Sequence, residues 1–428
     1  MLAAPAILLA PAVRAQGGFD WRRFAGQRIT VSLLRAPLSD LLQRHEQEFT
    51  ERTGIAVASE QVPEQQHRQQ QVIELASGRP SFDVTTVSWL IQKRLFGRAR
   101  WLEDLRPYIA DPALTAPDFA PEDLTPAGLA GATHPDGRVD SLPLALHYFI
   151  LYANRSLLEA KGVAVPTDFA SLEEAARRLT DRSAGVFGFV GRGLRNANVP
   201  LWTAFLLGWG KEALSPDGTL LTDGDEAVAA AELYARLLRE TAPPGVAGFN
   251  WAESLSAFTQ GRAAMWIDNA NWASPLEDAQ RSRVAGKVIY ATVPRGPAAH
   301  HTTLFGDGIA IPAASPRKGP AWFYAQWAAG KANAARSLIA GVGAPPRRST
   351  FADPTVREEL RLPRPWLDAV EASAAIARPG LPDIIPVTEF RDTFGAVLTS
   401  LIGGGDARAE LRRATAAFRP VLEASERG

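Results

Sequence analysis

Residues Ile29 to Leu34 form a short apolar run with β-branched members. The pattern then turns helical, with Leu41, Leu42, His45 and Phe49 sharing a face until Gly54 stops it. Ile55 to Val62 alternates as a second strand, Glu64 to Ser77 predicts a helix closed by Gly78, and Phe82 to Val87 is a third strand. Crossovers of this kind build a parallel sheet covered by helices, whose ligands gather beyond the carboxyl ends of the strands. Those ends are the loops at Arg35-Ala36-Pro37, Pro63-Glu64 and Ser88-Trp89.

Residues 111–133 are rich in Pro, Ala and Asp, and His134-Pro135-Asp136-Gly137 makes a turn before the apolar stretch Leu142 to Tyr152. Ser171 and Glu174 fit a capping box for a helix to Thr180, and further helices are expected at Glu226 to Arg239 and at Trp251 to Gln260, which Gly261 ends. Short strands follow at Ala263 to Ile267, Val288 to Val293 and Gly308 to Ile311. The remainder is helical in pattern, with Trp322, Phe323 and Trp327 on one face. The chain shows no internal repeat and no low-complexity linker, so a second domain is interwoven with the first. The fold class is α/β.

Composition narrows the partners. A chain of 428 residues, 46% hydrophobic and 21% charged, has room for two cores. Its 46 basic and 46 acidic residues cancel, leaving no global field to attract nucleic acid or an anionic membrane surface. With no cysteine, disulfides, thiolate metal sites and a cysteine nucleophile are excluded. Met1 to Ala15 is an apolar run reaching Val13-Arg14-Ala15, a small-residue pattern suited to cleavage after Ala15. It is too short and too interrupted by proline to span a bilayer, so it predicts export to the periplasm. Residues 1–25 are set aside with this leader.

Chemistry is sparse. Gly191-Arg192-Gly193 and Gly403-Gly404-Gly405 match neither phosphate-cradling pattern, the histidines lack zinc spacing, and no Gly-x-Ser-x-Gly elbow occurs. No cofactor, metal or catalytic set is expected. Tryptophan is abundant, with eleven residues, and Trp89, Trp202, Trp209, Trp251, Trp266 and Trp272 lie near loops. Aromatic faces stack on the C–H faces of sugars while carboxylates, Arg and Asn bind the hydroxyls. Trp101 and Trp327 fit the core, whereas Trp89 and Trp272 are the stacking candidates.

The order of segments resembles the extracellular solute-binding proteins of the family that includes maltose-binding protein, over about Gln27 to Pro354. The matching pieces are Phe49-Thr50-Glu51-Arg52-Thr53-Gly54-Ile55, Phe82-Asp83-Val84, Trp101-Leu102-Glu103-Asp104-Leu105, Asp136-Gly137-Arg138 before Leu142-Pro143-Leu144, and Leu151 to Leu157. A closer likeness, to the branch that binds sugar alcohols such as mannitol and sorbitol, lies in Val62-Pro63-Glu64 with Arg68, Arg192-Gly193, Gly261 to Asp268 and Pro345 to Thr350.

The resemblance implies a monomeric, non-enzymatic subunit of an ABC importer that closes two lobes on a sugar or polyol and delivers it to membrane permease subunits. The N-terminal lobe would comprise 26–145 plus 308–344 and the C-terminal lobe 146–307 plus 345–428. Crossings would fall near Ala145 to Tyr148, Thr303 to Gly308 and Ala344 to Arg348. Expected ligand-binding residues are Arg35, Glu64, Trp89, His147, Arg192, Trp266, Asp268, Trp272, Asp307 and Arg347. His147 stands where the family commonly carries a carboxylate, and Asp307 where the polyol branch places aromatics. Two other readings remain: an anionic or non-sugar solute gripped by Arg35, Arg192 and Arg347, and a secreted enzyme using Glu64, Asp268 and Asp307 as acid and base.

Overall fold

In the computed structural model, which describes residues 18–427, Ile29, Val31 and Leu33 alternate into the core from β1 (Arg28–Leu34). Helix α1 (Pro37–Thr53) buries Leu41, Leu42 and Phe49 against it and ends at Gly54, whose φ of 71° lets its N–H reach back to Thr50. The strands β2 (Ala56–Val62) and β3 (Val84–Ser88) flank β1 in parallel, as expected of the alternating unit. Their crossovers leave α2 (Glu64–Ala76) and α3 (Trp89–Ala99) starting at the carboxyl ends of β2 and β3. Trp322, Phe323 and Trp327 join this core from the helix Lys318–Ala328. So do Phe24 and Phe19, whose rings lie 4.9 and 5.4 Å from that of Phe323. Residues 18–25, set aside with the leader, therefore belong partly to the fold. Met1 to Ala15 lies outside the described residues.

The apolar stretch beginning at Leu142 is one fully buried strand, β4 (Leu142–Asn154). Together with β5 (Phe187–Val190), β6 (Ala263–Asn269), β7 (Val288–Thr292), β8 (Thr302–Ala310) and β9 (Ala377–Pro379) it completes a nine-stranded sheet. The order is β2-β1-β3-β8-β4-β6-β5, with β7 on β4 and β9 on β8. Leu142 to Tyr148 pair antiparallel with β8, and the second half of β4 runs antiparallel between β6 and β7. β4 thus passes from one half of the molecule to the other. A second core fills the far half, where Trp202 stacks on Phe394 at 5.7 Å among the helices Val199–Gly208, Asp225–Thr241, Val387–Ile402 and Ala407–Arg427.

Two local expectations shift. The helix Phe169–Leu179 is capped by Asp168, which accepts from Ser171 N while Ser171 Oγ reaches back, so the box lies three residues before the Ser171/Glu174 pair. β8 starts at Thr302, ahead of the expected Gly308, because its polar positions complete the ladder with β4. The helix Val199–Gly208 has no polar face to mark its period, being buried on every side. Arg347 and Ser349 bind Asp123, and the helix Arg364–Ile376 packs on β7.

Trp89 is core. Its ring is 5% exposed, its Nε1 donates to Ser141 Oγ at 3.0 Å, and a Cβ on either Gly131 or Gly306 would sit 2.2 Å from it. The indole pins α3 to β8 and has no face free to stack on a sugar. Gly131→Ala should therefore lower stability by about 1–3 kcal/mol through overpacking, outweighing the ~0.5–1 kcal/mol gained in helix propensity. An unchanged urea midpoint would contradict this seating.

Candidate functional site

A cavity of about 130 Å³ opens where the first three strands end, between the two halves of the sheet. The turn after β1 supplies Arg35 at the rim, the first two turns of α2 supply Glu64 and Arg68, and β3 ends there in Ser88. The floor is His147 and Phe149 from β4 with Phe305 and Asp307 from β8. The opposite wall carries Arg192, Trp251, Asn269, Asn271, Trp272 and Arg391.

On the floor, Asp307 Oδ1 accepts from Ser88 Oγ at 2.7 Å and Oδ2 from His147 Nε2 at 2.8 Å. Burial alone would push the His147 pKa down, yet its hydrogen bond and charge contact with Asp307 hold it above 6.5. Burial would likewise raise Asp307, but His147 and Ser88 hold it below 3.8. The other imidazole nitrogen, Nδ1, faces the Asn271 amide. A neutral ring accepts there from Nδ2, whereas protonation requires the amide to turn its oxygen inward.

On the wall, Arg192 forks onto Asp268, Nε to Oδ2 at 2.7 Å and Nη2 to Oδ1 at 2.5 Å. Asp268 is fully buried and also accepts from Trp272 Nε1 at 3.0 Å and from Asn269 N at 2.7 Å. It thus acts behind the surface, orienting Arg192 and Trp272. Trp272 stacks flat on Trp251, 4.5 Å apart and 10° from parallel. Glu64 is raised by burial, but the positive charges of Arg68, Arg192 and Arg391 outweigh this and leave it below 4.5. Glu64 and Asp307 are thus both held as carboxylates at the cavity.

Of the ten expected residues, Arg35, Glu64, His147, Arg192, Trp272 and Asp307 line this cavity, and Asp268 stands behind Arg192. Three do not reach it. Trp89 is seated between glycines as described. Trp266 has no exposed surface and stacks on Tyr152 at 5.1 Å, because its position on β6 faces the core. Arg347 is fully buried, donating to Ala329 O at 2.8 Å and meeting Asp123 at 3.4 Å, with its guanidinium 4.8 Å from the Phe119 ring centre. Sequence reasoning missed Arg391, whose signal was an arginine beside Phe390 in the apolar stripe of a helix, and passed over Trp251 in favour of Trp89.

The His147–Asp307 pair makes stability depend on pH in a defined direction. A histidine raised in the folded state contributes fully below 6.5 and loses that contribution as pH rises through its folded value; Asp307 contributes above 3.8 and loses it as pH falls. Denaturant unfolding of wild type should therefore weaken more than that of His147→Gln between about pH 6 and pH 8.5. Parallel profiles would show that the pair does not titrate in this range.

Residues 34–335 match the family model of the bacterial extracellular solute-binding proteins. The erythritol/L-threitol-binding protein of Mycolicibacterium smegmatis is 26% identical over 417 residues, covering 92% of this chain and 86% of that protein. The mannitol-binding protein of Pseudomonas aeruginosa is 29% identical over 299 residues, 67% of this chain and 66% of that one. Among solved structures, a solute-binding protein of Agrobacterium radiobacter K84 in complex with ribitol superposes with a TM-score of 0.84 at 25% identity, covering 93% of this chain and 99% of that one. The chain belongs to the bacterial extracellular solute-binding proteins, the family of transport subunits that capture small solutes for ABC importers.

Proposed function

We propose that this chain captures a short open-chain polyol, of the erythritol-to-mannitol size class, in the periplasm and presents it to an ABC permease. The observation that carries the reading is the pairing of hydroxyl-binding groups of both kinds around one small cavity. Glu64 and Asp307 accept, Arg192 and Asn271 donate, and the Trp251–Trp272 stack lies alongside for the carbon chain. A cavity of about 130 Å³ suits a small solute better than an oligosaccharide. Relatives named for erythritol, L-threitol and mannitol, and the ribitol complex, point the same way. The apolar leader ending at Ala15 accounts for export in this reading.

The mechanism follows from where the groups come from. Glu64 and Arg68 belong to the first half, whereas Arg192 and Trp272 belong to the second. A solute reaches both sets when the halves are together, so it binds that state more tightly and shifts the population towards it. The permease then reads closure.

A thermal-shift series over erythritol, ribitol, mannitol and maltose tests this. A polyol at a hundredfold excess over its Kd adds about 2.7 kcal/mol of stability. At least one linear polyol should shift the transition while maltose leaves it in place, and Trp251→Ala should weaken that polyol by about 0.5–1.5 kcal/mol. A response to maltose alone would contradict the assignment.

A further inference from the structure

The cleft carries more positive charge than its own carboxylates balance. Arg192 is matched by Asp268 in bidentate contact, and His147 by Asp307. What remains at the cavity is one carboxylate, Glu64, facing two guanidiniums, Arg68 and Arg391, with Arg35 at the exposed rim. Arg391 is 4% exposed. Its Nε donates to Asn196 O at 3.1 Å and its Nη2 to Asn196 Oδ1 at 3.3 Å, and it makes no ion pair among the described residues. Arg68 Nη1 approaches Glu64 Oε1 to 2.8 Å, close enough for charge contact but off the line of a hydrogen bond. Its Nε and Nη1 are therefore buried without a hydrogen-bond partner among the described residues.

A guanidinium taken out of water without a counter-charge is costly. The strain shows in Arg391, which burial, with Arg68 and Arg192 near it, pulls down to about 9 against the opposing pull of Glu64 and the more exposed Asp392. Holding the Asn196 loop needs two donors and no charge, so the loop does not account for an arginine there. A carboxylate on the solute would supply both the missing charge and the missing acceptors. Its two oxygens fit the planar donor fork of arginine. A phosphate ester is bulkier and carries close to two charges, the second of which would stand against Glu64.

We infer that the solute is a polyhydroxylated monocarboxylate, a sugar acid of the aldonate type, whose carboxylate Arg68 and Arg391 hold while its hydroxyls take the rest of the cleft. This rests on the polyol reading of the same site and adds one charged terminus to it.

Calorimetric titration of the full chain, freed of carried solute by unfolding and refolding, with matched pairs separates the two ideas. The pairs are erythritol with erythronate and ribitol with ribonate, and ribitol 5-phosphate is a further arm. An aldonate should bind at least about tenfold more tightly than its alditol. That ratio should fall towards one in Arg391→Gln and in Arg68→Gln, whereas a loop-holding role would weaken both members of a pair equally. Two variants guard against one that folds poorly. Wild type binding the alditol as well as or better than the aldonate overturns the inference and leaves the polyol reading intact. Preference for the phosphate, or an unchanged ratio in both variants, overturns the carboxylate assignment. Binding of no member of either pair, with mannitol also failing to bind, overturns both.

Discussion

The pairing of β4 with β8 is the constraint on which the rest depends. These two antiparallel strands carry the sheet from one half of the molecule to the other, and their register sets Asp307 opposite both Ser88 on β3 and Ala145 on β4. From there His147 reaches the same carboxylate diagonally, so one residue ties three strands together at the cavity floor. Walls from both halves then face each other across a fixed base. A substitution that slipped this register by one residue would turn Asp307 to the opposite face of the sheet.

The cleft stores charge at a cost the cores must offset. Asp268 and Arg192 are both largely out of water, and their fork with two further donors on Asp268 is the arrangement that makes such burial tolerable. The benefit is orientation. Arg192 and Trp272 share one buried carboxylate, which fixes the donor and the aromatic surface of the second wall relative to each other. The cores that carry this load are aromatic on both sides, with Phe323, Trp322 and Phe49 in the first half and Trp202, Phe390 and Phe394 in the second.

Much of this was legible in the sequence where a local pattern determines a local structure. Gly54 and the alternation around it marked the first strands, and the strand-end rule then brought out the loops that hold Arg35 and Glu64. His147 and Asp307 came from resemblance, being positions in crossing segments. What failed was the direction of side chains. Trp89 follows a strand end as a ligand-stacking ring would, yet two distant glycines, Gly131 and Gly306, make a slot for it that no neighbouring residue announces. Arg347 lies in a matching motif but turns towards Asp123, more than two hundred positions earlier in the chain. Arg391 sits near the start of a helix whose pattern reads as core, and its place in the cleft comes from a fold-back visible only in three dimensions. The helix Val199–Gly208 was silent for the opposite reason, having no polar side to give a period.

Everything above depends on where the solute sits, and a crystal structure at saturating ribitol tests that most directly. Ligand density should lie above Asp307 and His147, between Glu64 and Arg192 and against Trp251 and Trp272. An empty cleft with ligand density in the neighbouring groove formed by Trp89, Lys93 and Asp383 would contradict it.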